Sequence, residues 1–381
     1  MKRAGFLLVV CCLLLTWLPL GAEAAALEVA GKSAVLMDVA TGTVLHEQNA
    51  HEPLAPASVT KVMTMLLIME AIDGGKISWE DMVTASEAAA AKGGSQIYLK
   101  VGETMSVTDM VKSITVSSAN DCACAMAEHI AGSEAGFVEQ MNQRAAQLGM
   151  NDTHFVNCTG LDDEPNAAEH LTSAHDIAIM SRQLLVNHPE IKKFTTIWMD
   201  TVRNGTFGLS NTNKLVRFYS GATGLKTGFT AKAGYCLSAS ASRDGMELIA
   251  VVMGSTTSKD RFAACKQLLD YGFANYALIA PEVHNLDVSV KLGSAGSVTA
   301  VPTRAPQFLL DKSQKGDVSV TTELESGITA PVSKGQRLGT LTVRCGEQVL
   351  EQIPVVAEVA VPKLTWGQMF TRVLKQTAMG R

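Results

Sequence analysis

A serine and a lysine stand one helical turn apart in "PASVTKVMTMLL", residues 56–67. Residues i and i+3 share a face of a helix, so the Ser58 hydroxyl and the Lys61 amine can touch. A serine hydroxyl is a weak nucleophile that needs a base, and a lysine can be that base only if its pKa is lowered. The pair therefore fits nucleophilic catalysis, although a helix-capping serine beside a solvated lysine gives the same spacing.

Two further patterns follow, Ser118-Ala119-Asn120 in "VSSAND" and Lys226-Thr227-Gly228 in "GLKTGFT". The patterns Ser-x-x-Lys, Ser-x-Asn and Lys-Thr-Gly, in this order, are the motif set of penicillin-binding proteins and serine β-lactamases. As a trio they are specific, so the chain resembles these enzymes, which form a covalent intermediate on the serine.

The flanking segments narrow the resemblance. They include "SSANDCACAMAEHIAG", "HLTSAHDIAIMSR" and "LKTGFTAKAGYCLSASASRDGMELIAVVMG". From about residue 27 to the C-terminus the chain is similar to low-molecular-mass penicillin-binding proteins, and more narrowly to serine-type D-alanyl-D-alanine carboxypeptidases of the peptidase S11 family. The resemblance implies removal of the terminal D-alanine from peptidoglycan stem pentapeptides, with β-lactam antibiotics as covalent inhibitors.

The resemblance also implies a role for each motif residue. Ser58 attacks the carbonyl between the two D-alanines, and Lys61 takes its proton. Ser118 and Lys226 form a hydrogen-bonded cluster that passes a proton to the leaving D-alanine. Asn120 holds the substrate amide.

The third motif is expected to bind the end of the peptide. Thr227 binds the terminal carboxylate, and Gly228 lets the backbone come close. The strand that starts at Lys226 pairs with the extended substrate. The backbone N–H groups of Ser58 and Phe229 form the oxyanion hole.

Two positions leave alternatives open. Arg243 is either a second anchor for the substrate carboxylate or a structural charge at the end of a hairpin. Glu164 in "DDEPNAAEH" is reminiscent of the glutamate that class A β-lactamases use for deacylation in a Glu-x-x-x-Asn pattern. Here Asn166 is only two residues on, so a loop is the preferred interpretation, and penicillin is expected to leave the serine slowly.

Three other functions remain as alternatives: a DD-endopeptidase, a β-lactamase of the same fold, and a non-catalytic protein that binds penicillin or the cell wall. The missing glutamate pattern disfavours the β-lactamase. The intact pair of lysines disfavours the non-catalytic protein. Only substrate assays separate the endopeptidase from the carboxypeptidase.

The elements that must position these residues can be traced along the chain. Alternating apolar runs flank Ala40-Thr41-Gly42 and predict a hairpin. A helix is expected from Ser58 to about Ile72, and further helices in 105–131, 135–148 and 173–187. Two neighbouring strands are predicted at 235–242 and 248–255, followed by a closing helix. This order predicts an α+β catalytic domain of the β-lactamase/transpeptidase type, with helices on the faces of an antiparallel sheet, over residues 27–280.

The pattern of apolar and polar residues changes after residue 280. Short alternating runs between turn residues predict a small β-sandwich or barrel over 281–361. Residues 362–381 follow, where Trp366, Met369, Phe370, Val373 and Leu374 share a helix face and Lys363, Arg372, Lys375 and Arg381 add positive charge. This predicts an amphipathic helix that anchors the protein to a membrane surface, or alternatively one docked on its own protein.

The N-terminus predicts secretion. Lys2 and Arg3 precede an apolar stretch and an "AEA" cleavage signal, as in a signal peptide over 1–24; an uncut membrane anchor is the alternative. The protein is therefore expected outside the cytoplasmic membrane. The net charge of -5 does not indicate the basic surface that binds nucleic acid.

No cofactor or metal is expected. The histidines, among them His129, His170 and His175, have no HExxH pattern or close ligand partner. Six cysteines lie beyond the signal peptide, without metal spacing or a regular disulfide framework, and buried free thiols are the preferred interpretation.

Overall fold

A computed structural model describes residues 27–378 of the chain. The predicted signal peptide lies outside these residues. The fold is α+β, as predicted, with a larger mixed unit followed by a smaller all-β unit and a final helix.

The first nine strands belong to the larger unit: β1 Ser33–Asp38, β2 Val44–Gln48, β3 Met82–Thr84, β4 Thr104–Ser106, β5 Met199–Val202, β6 Phe207–Ser210, β7 Ala222–Thr230, β8 Gly234–Arg243 and β9 Met246–Ser255. Nine helices accompany them: α1 Lys61–Asp73, α2 Glu87–Ala90, α3 Val107–Ser117, α4 Asn120–Ala131, α5 Glu134–Gln147, α6 Ala174–Asn187, α7 Lys192–Thr195, α8 Leu215–Phe218 and α9 Ser258–Asn275. The predicted hairpin, the long helices and the neighbouring strands are all confirmed.

The central sheet has the order β2-β1-β9-β8-β7, and all neighbours are antiparallel. Both faces are covered, because successive side chains of a strand point to opposite sides. On β1, Ala34 and Leu36 pack towards α9, whereas Val35 and Met37 join the core of the helical layer. Strand β7 lies at one edge of this sheet.

The predicted first helix starts differently. Residues Ala57–Thr60 form a 3-10 turn, and the α-helix begins only at Lys61. Ala57 has a φ of 48°, which is outside the helical region. The turn therefore lifts Ser58 onto the rim of the helix instead of burying it inside.

Strand β10 Tyr276–Ile279 follows α9 at the end of the larger unit. The smaller unit contains β11 Leu286–Ser289, β12 Ser297–Pro302, β13 Phe308–Asp311, β14 Val318–Leu324, β15 Arg337–Cys345 and β16 Gln348–Ala357. Five of these strands form a sheet in the order β11-β12-β16-β15-β14, and β10 pairs with β13. This sheet covers a core of its own. Helix α10 Trp366–Ala378 ends the described chain.

Among the described residues, no helix combines the length and the apolar character needed to cross a membrane. The expected free thiols are confirmed for the six cysteines of this part of the chain, and all except Cys345 are buried.

Candidate active site

The first motif brings its serine and lysine into contact. The Lys61 Nζ lies 2.9 Å from the Ser58 Oγ, and the Lys61 side chain is fully buried. A solvated lysine beside a capping serine is therefore the wrong interpretation. The spacing of three residues produces the contact because the 3-10 turn runs directly into α1.

The environment of Lys61 favours the neutral amine. Burial lowers the pKa of Lys61 to about 7, although Cys158 and Asp121 act in the opposite direction. A second hydrogen bond, 2.8 Å long, runs from Nζ to the Thr159 carbonyl and fixes the amine in place. The lowered pKa makes the neutral amine accessible near neutral pH, as a general base requires.

The second motif sits where one helix ends and the next begins. Ser118 terminates α3 with a φ of 63°, and Asn120 is the first residue of α4. The Asn120 Nδ2 donates to the Gly93 carbonyl at 2.7 Å. Within the described residues its Oδ1 is buried and has no hydrogen-bond partner. A buried acceptor without a partner is costly, so this oxygen is a candidate for a hydrogen bond from a bound ligand.

The third motif lies on edge strand β7. The Lys226 Nζ donates to the Thr227 carbonyl at 2.8 Å; among the described residues no hydrogen bond joins it to Ser118. The expected Ser118–Lys226 hydrogen bond is therefore not formed, because the ammonium turns back to its own strand. Burial lowers the pKa of Lys226 well below its usual range, helped by the nearby Lys61 and Arg261 cations.

Gly228 brings β7 against the serine turn. A Cβ at Gly228 would lie 2.6 Å from the Pro56 carbonyl oxygen and 3.1 Å from the Val59 nitrogen. No side chain fits there, so the position requires glycine for a close approach of two backbones. The next residue, Phe229, therefore follows directly beside the Ser58 turn, and its ring stacks on Tyr235 at 4.2 Å.

Arg243 does not belong to the site. Strand register pairs Lys226 with Ser238, and Arg243 is five residues further along β8, about 16 Å away. Its Nε donates to the Ser220 carbonyl at 3.0 Å, and its guanidinium lies 4.2 Å from the Tyr219 ring centroid. The prediction of a carboxylate anchor is wrong, and the structural alternative holds.

Arg261, which the sequence did not single out, lies behind β7. It projects from α9, and its Nη1 donates to the carbonyls of Gly228 at 2.8 Å and Cys236 at 3.3 Å. Its guanidinium carries a buried positive charge next to Lys226. No local pattern marks this residue, because it reaches the motif strand from a helix 33 positions away.

Glu164 is occupied elsewhere. Lys92 lies 2.5 Å from its carboxylate and 2.7 Å from that of Glu134, so Glu164 belongs to a three-residue ion-pair network. Its role as a deacylating base is not supported by this geometry. In the part of the chain that the structure describes, no cluster of three or more His, Cys, Asp or Glu side chains could hold a metal ion.

His170 is a structural residue. Its Nε2 lies 2.7 Å from the Thr60 Oγ1, and its Nδ1 accepts from the Val156 N–H at 3.0 Å. Burial lowers the pKa of His170 to about 4, so the ring stays neutral. It joins the turn that carries Ser58 to the segment that ends at Thr159.

The assembled site can run acyl transfer. Ser58 touches the buried Lys61, whose pKa is near neutrality, and two further basic side chains, Lys226 and Arg261, lie close to the third motif. The strand offers backbone groups along an open edge, which suits an extended peptide with a terminal carboxylate.

Comparison with known proteins gives a consistent result. The sequence profile of the D-alanyl-D-alanine carboxypeptidase family, peptidase S11, matches residues 21–257. The profile of the penicillin-binding protein 5 C-terminal domain matches residues 281–363. D-alanyl-D-alanine carboxypeptidase DacF of Bacillus subtilis is 43% identical over 94% of this chain and 94% of its own length.

Solved structures show the same likeness. Penicillin binding protein 5 of Haemophilus influenzae has a TM-score of 0.72 and 32% identity, covering 88% of this chain and 99% of that one. Penicillin-Binding Protein D2 of Listeria monocytogenes, in its ampicillin-bound form, has a TM-score of 0.59 and 32% identity over 65% of this chain and 99% of that one.

Proposed function

The chain belongs to the D-alanyl-D-alanine carboxypeptidase family, peptidase S11, and on this premise we propose which residues carry its reaction. It is a serine-type D-Ala-D-Ala carboxypeptidase, a hydrolase of the cell wall that acts on peptidoglycan and binds β-lactams. We propose Ser58, Lys61 and Ser118 as the catalytic residues. The contact between Ser58 and Lys61, with the amine fully buried, is the observation that carries this assignment.

Acylation starts with proton transfer. Neutral Lys61 takes the proton of Ser58 while the Oγ bonds to the carbonyl carbon of the penultimate D-alanine. The backbone N–H groups of Ser58 and Phe229 stabilise the developing oxyanion; one such donor typically contributes about 10²–10³ in rate. The C–N bond then breaks, and the leaving D-alanine receives a proton from Lys61 through Ser118.

Substrate binding uses the edge strand and its surroundings. The peptide adds to β7 as a further strand, and the free Oδ1 of Asn120 accepts an N–H of the peptide. The terminal carboxylate lies near the Thr227 hydroxyl, with the Lys226 amine and the Arg261 guanidinium close to the same strand. Gly228 keeps the strand close enough to the serine for this pairing.

Water completes the reaction by hydrolysing the acyl-enzyme. For a penicillin adduct we expect slow release, because Glu164 is engaged by Lys92. This supports the carboxypeptidase over the β-lactamase alternative. An endopeptidase uses the same chemistry on cross-linked peptides and remains the second candidate.

We further propose that helix α10 binds the membrane surface. Its Trp366 and Phe370 side chains are 88% and 67% exposed, which supports a lipid-facing apolar side over docking on its own protein. Arg372 adds positive charge beside that face. With the proposed signal peptide 1–24, catalytic domain 27–280 and β-sandwich 281–361, this makes the protein secreted and peripherally membrane-associated.

The experiment is D-alanine release from a stem pentapeptide that ends in D-Ala-D-Ala, together with intact-mass detection of a penicillin adduct. Ser58→Ala is expected to abolish both. Lys61→Ala is expected to lower release by about 10²–10⁴-fold, the usual contribution of a positioned general base.

Lys259→Ala, which changes an exposed lysine of α9, is the matched control and should retain wild-type rates. An adduct on Ser58 without any D-alanine release would leave the nucleophile in place and favour the endopeptidase. Adduct formation that persists in Ser58→Ala would overturn the assignment of the nucleophile.

A further inference from the structure

Tyr98 is presented to solvent in a backbone conformation that aromatic residues rarely adopt. It lies in the loop 91–103 between α2 and β4, with a φ of 61°. A positive φ is a genuine outlier for a bulky side chain. The side chain is nevertheless 65% exposed, so burial of the ring does not account for the strain.

Two charged side chains hold this conformation from both sides. The Asp121 carboxylate accepts from the N–H groups of Ile97 at 3.1 Å and Leu99 at 3.0 Å. The Arg203 guanidinium donates to the carbonyls of Ile97 at 2.7 Å and Tyr98 at 3.2 Å. Four charge-assisted hydrogen bonds thus surround one residue. A strained backbone conformation that several surrounding hydrogen bonds hold in place is typical of ligand-binding sites.

A cleft of about 570 Å³ opens beside this ring. It is lined by Ile97, Tyr98, Lys100, Glu103, Arg203 and Phe207. The rings of Tyr98 and Phe207 meet edge to face with centroids 6.5 Å apart, and form an apolar wall.

The charges of the cleft favour an anion. Glu103 is paired with Arg203 at 2.7 Å. Lys100 forms no salt bridge with any of residues 27–378 and is exposed. The lining of one carboxylate and two cations therefore leaves a positive charge available to a ligand.

The loop that carries Tyr98 contacts the proposed substrate-binding residue Asn120, whose N–H donates to the Ser95 carbonyl and whose Nδ2 donates to the Gly93 carbonyl, both at 2.7 Å. Asp121, which holds the loop through Leu99, is the next residue of α4. Tyr98 follows Ser95 by three residues, a span of at most about 11 Å at about 3.8 Å between consecutive Cα atoms. An extended peptide spans about 3.3–3.6 Å per residue. Two or three residues upstream of the scissile bond can therefore reach the ring.

We propose that this cleft is a subsite for the part of the peptidoglycan stem peptide that precedes the D-alanyl-D-alanine unit, with Tyr98 packing on the peptide and Lys100 facing a carboxylate of it. The inference rests on the proposed function of the neighbouring site. A stem peptide has apolar methylene groups and free carboxylates upstream of its two D-alanines, which match the wall and the cation. A β-lactam mimics only the D-alanyl-D-alanine end and does not extend into the cleft.

Tyr98→Gly separates a binding role from a structural one, because glycine adopts a positive φ without strain. We expect its unfolding midpoint to be equal to or above that of the wild type. Its kcat/KM for a stem pentapeptide should fall about tenfold, the range of one lost packing contact. Its kcat/KM for N-acetylated D-Ala-D-Ala and its acylation rate by penicillin should stay within about twofold of wild type.

Three variants complete the test. Tyr98→Phe retains the ring and should retain the pentapeptide rate. Val101→Ala removes an exposed side chain of the same loop that does not line the cleft, and should behave as wild type. Lys100→Ala should lower the rate on the free-acid pentapeptide but not on a pentapeptide whose upstream carboxylates are amidated.

Equal losses on long and short substrates in Tyr98→Gly would overturn the subsite and make Tyr98 a positioning residue for Asn120. An unchanged pentapeptide rate would overturn it as well. A wild-type protein that releases D-alanine from neither substrate would instead sink the proposed function, so the two failures are distinguishable.

Discussion

Burial gives Lys61 the property that a general base needs at neutral pH. An exposed lysine is almost entirely protonated at pH 7 and has no lone pair to offer. In this protein the desolvated amine has its pKa lowered to about 7, and the Thr159 carbonyl orients it. The second buried lysine, Lys226, is also shifted to a lower pKa, partly because Lys61 repels it. The pair avoids holding two full charges in one apolar space.

The acylation rate should therefore depend on pH with a single rising limb. Below pH 7 the fraction of neutral Lys61 increases about tenfold per pH unit, and above about pH 8 it levels off. Stopped-flow acylation by penicillin between pH 5.5 and 9 measures this directly. Circular dichroism at each pH controls for unfolding, and Asp317→Asn, a change of an exposed carboxylate in the smaller unit, should leave the profile in place. A flat profile through pH 6–8 would contradict the role of Lys61 as base.

Sequence reasoning works best for residues that are neighbours in the chain. Ser58 and Lys61 touch because a 3-10 turn leads directly into α1 and keeps residues i and i+3 on one side. Arg243 and Arg261 show the limit. Both are arginines near the motif strand, but strand register sends the first to the far end of β8 and helix packing brings the second to Gly228. Neither distance is encoded in a local pattern.

At the scale of elements, the site depends on close backbone contacts between loops and turns. Gly160 follows Thr159, and a Cβ there would lie 1.9 Å from the Ala57 carbonyl oxygen and 2.7 Å from the Thr60 Oγ1. The loop that holds Lys61 is therefore packed directly on the turn that holds Ser58. Its φ of 83° adds a second requirement for glycine.

Gly160→Ala should lower both stability and acylation. We expect a loss of roughly 3 kcal/mol in the free energy of unfolding, from overpacking and backbone strain together, and a penicillin acylation rate at least about tenfold lower because the turn must move. Denaturant unfolding and intact-mass kinetics measure the two effects.

Gly149→Ala is the matched control. Its φ is 72°, but nothing lies within 4 Å of an added Cβ. It should lose only about 1–2 kcal/mol from the left-handed conformation and keep its acylation rate. Equal effects of the two substitutions would show that the contact with Ala57 is unimportant.

The elements themselves were largely predictable. Periodicity predicted the hairpin, strands β8 and β9, and the six long helices of the larger unit, with α3 and α4 as one segment. Strands β12 and β13 were missed, although glycine, serine and proline residues that mark turns flank β12; β13 has only four residues, too few to show a period. The hydrogen bonds that fix the loop 91–103 were not predicted either. Asp121 and Arg203 reach this loop from separate elements, and no sequence pattern indicates these contacts.

At the scale of the whole molecule, catalysis and membrane attachment should be separable. Removal of residues 362–381 takes away α10 without touching the catalytic unit. We expect the shortened protein to leave the membrane fraction and to keep its kcat/KM for a stem pentapeptide within about twofold. Fractionation followed by D-alanine release measures both.

A double change, Trp366→Ser with Phe370→Ser, keeps the length of α10 and should release the protein equally. Retention of both forms in the membrane would contradict the anchor and point to an uncut N-terminal segment. Release by truncation but not by the double change would assign attachment to charge instead of the apolar face.

Strand β7 closes the sheet at an edge, and this has a consequence for the behaviour of the protein at high concentration. An edge strand carries a row of free backbone groups that another copy of the chain can occupy, and on β7 that row ends beside the exposed Phe229 ring. A ligand that pairs with β7 occupies these backbone groups, so another copy of the chain can no longer pair with them. We therefore expect the empty enzyme to self-associate more readily at high concentration than the acyl-enzyme does.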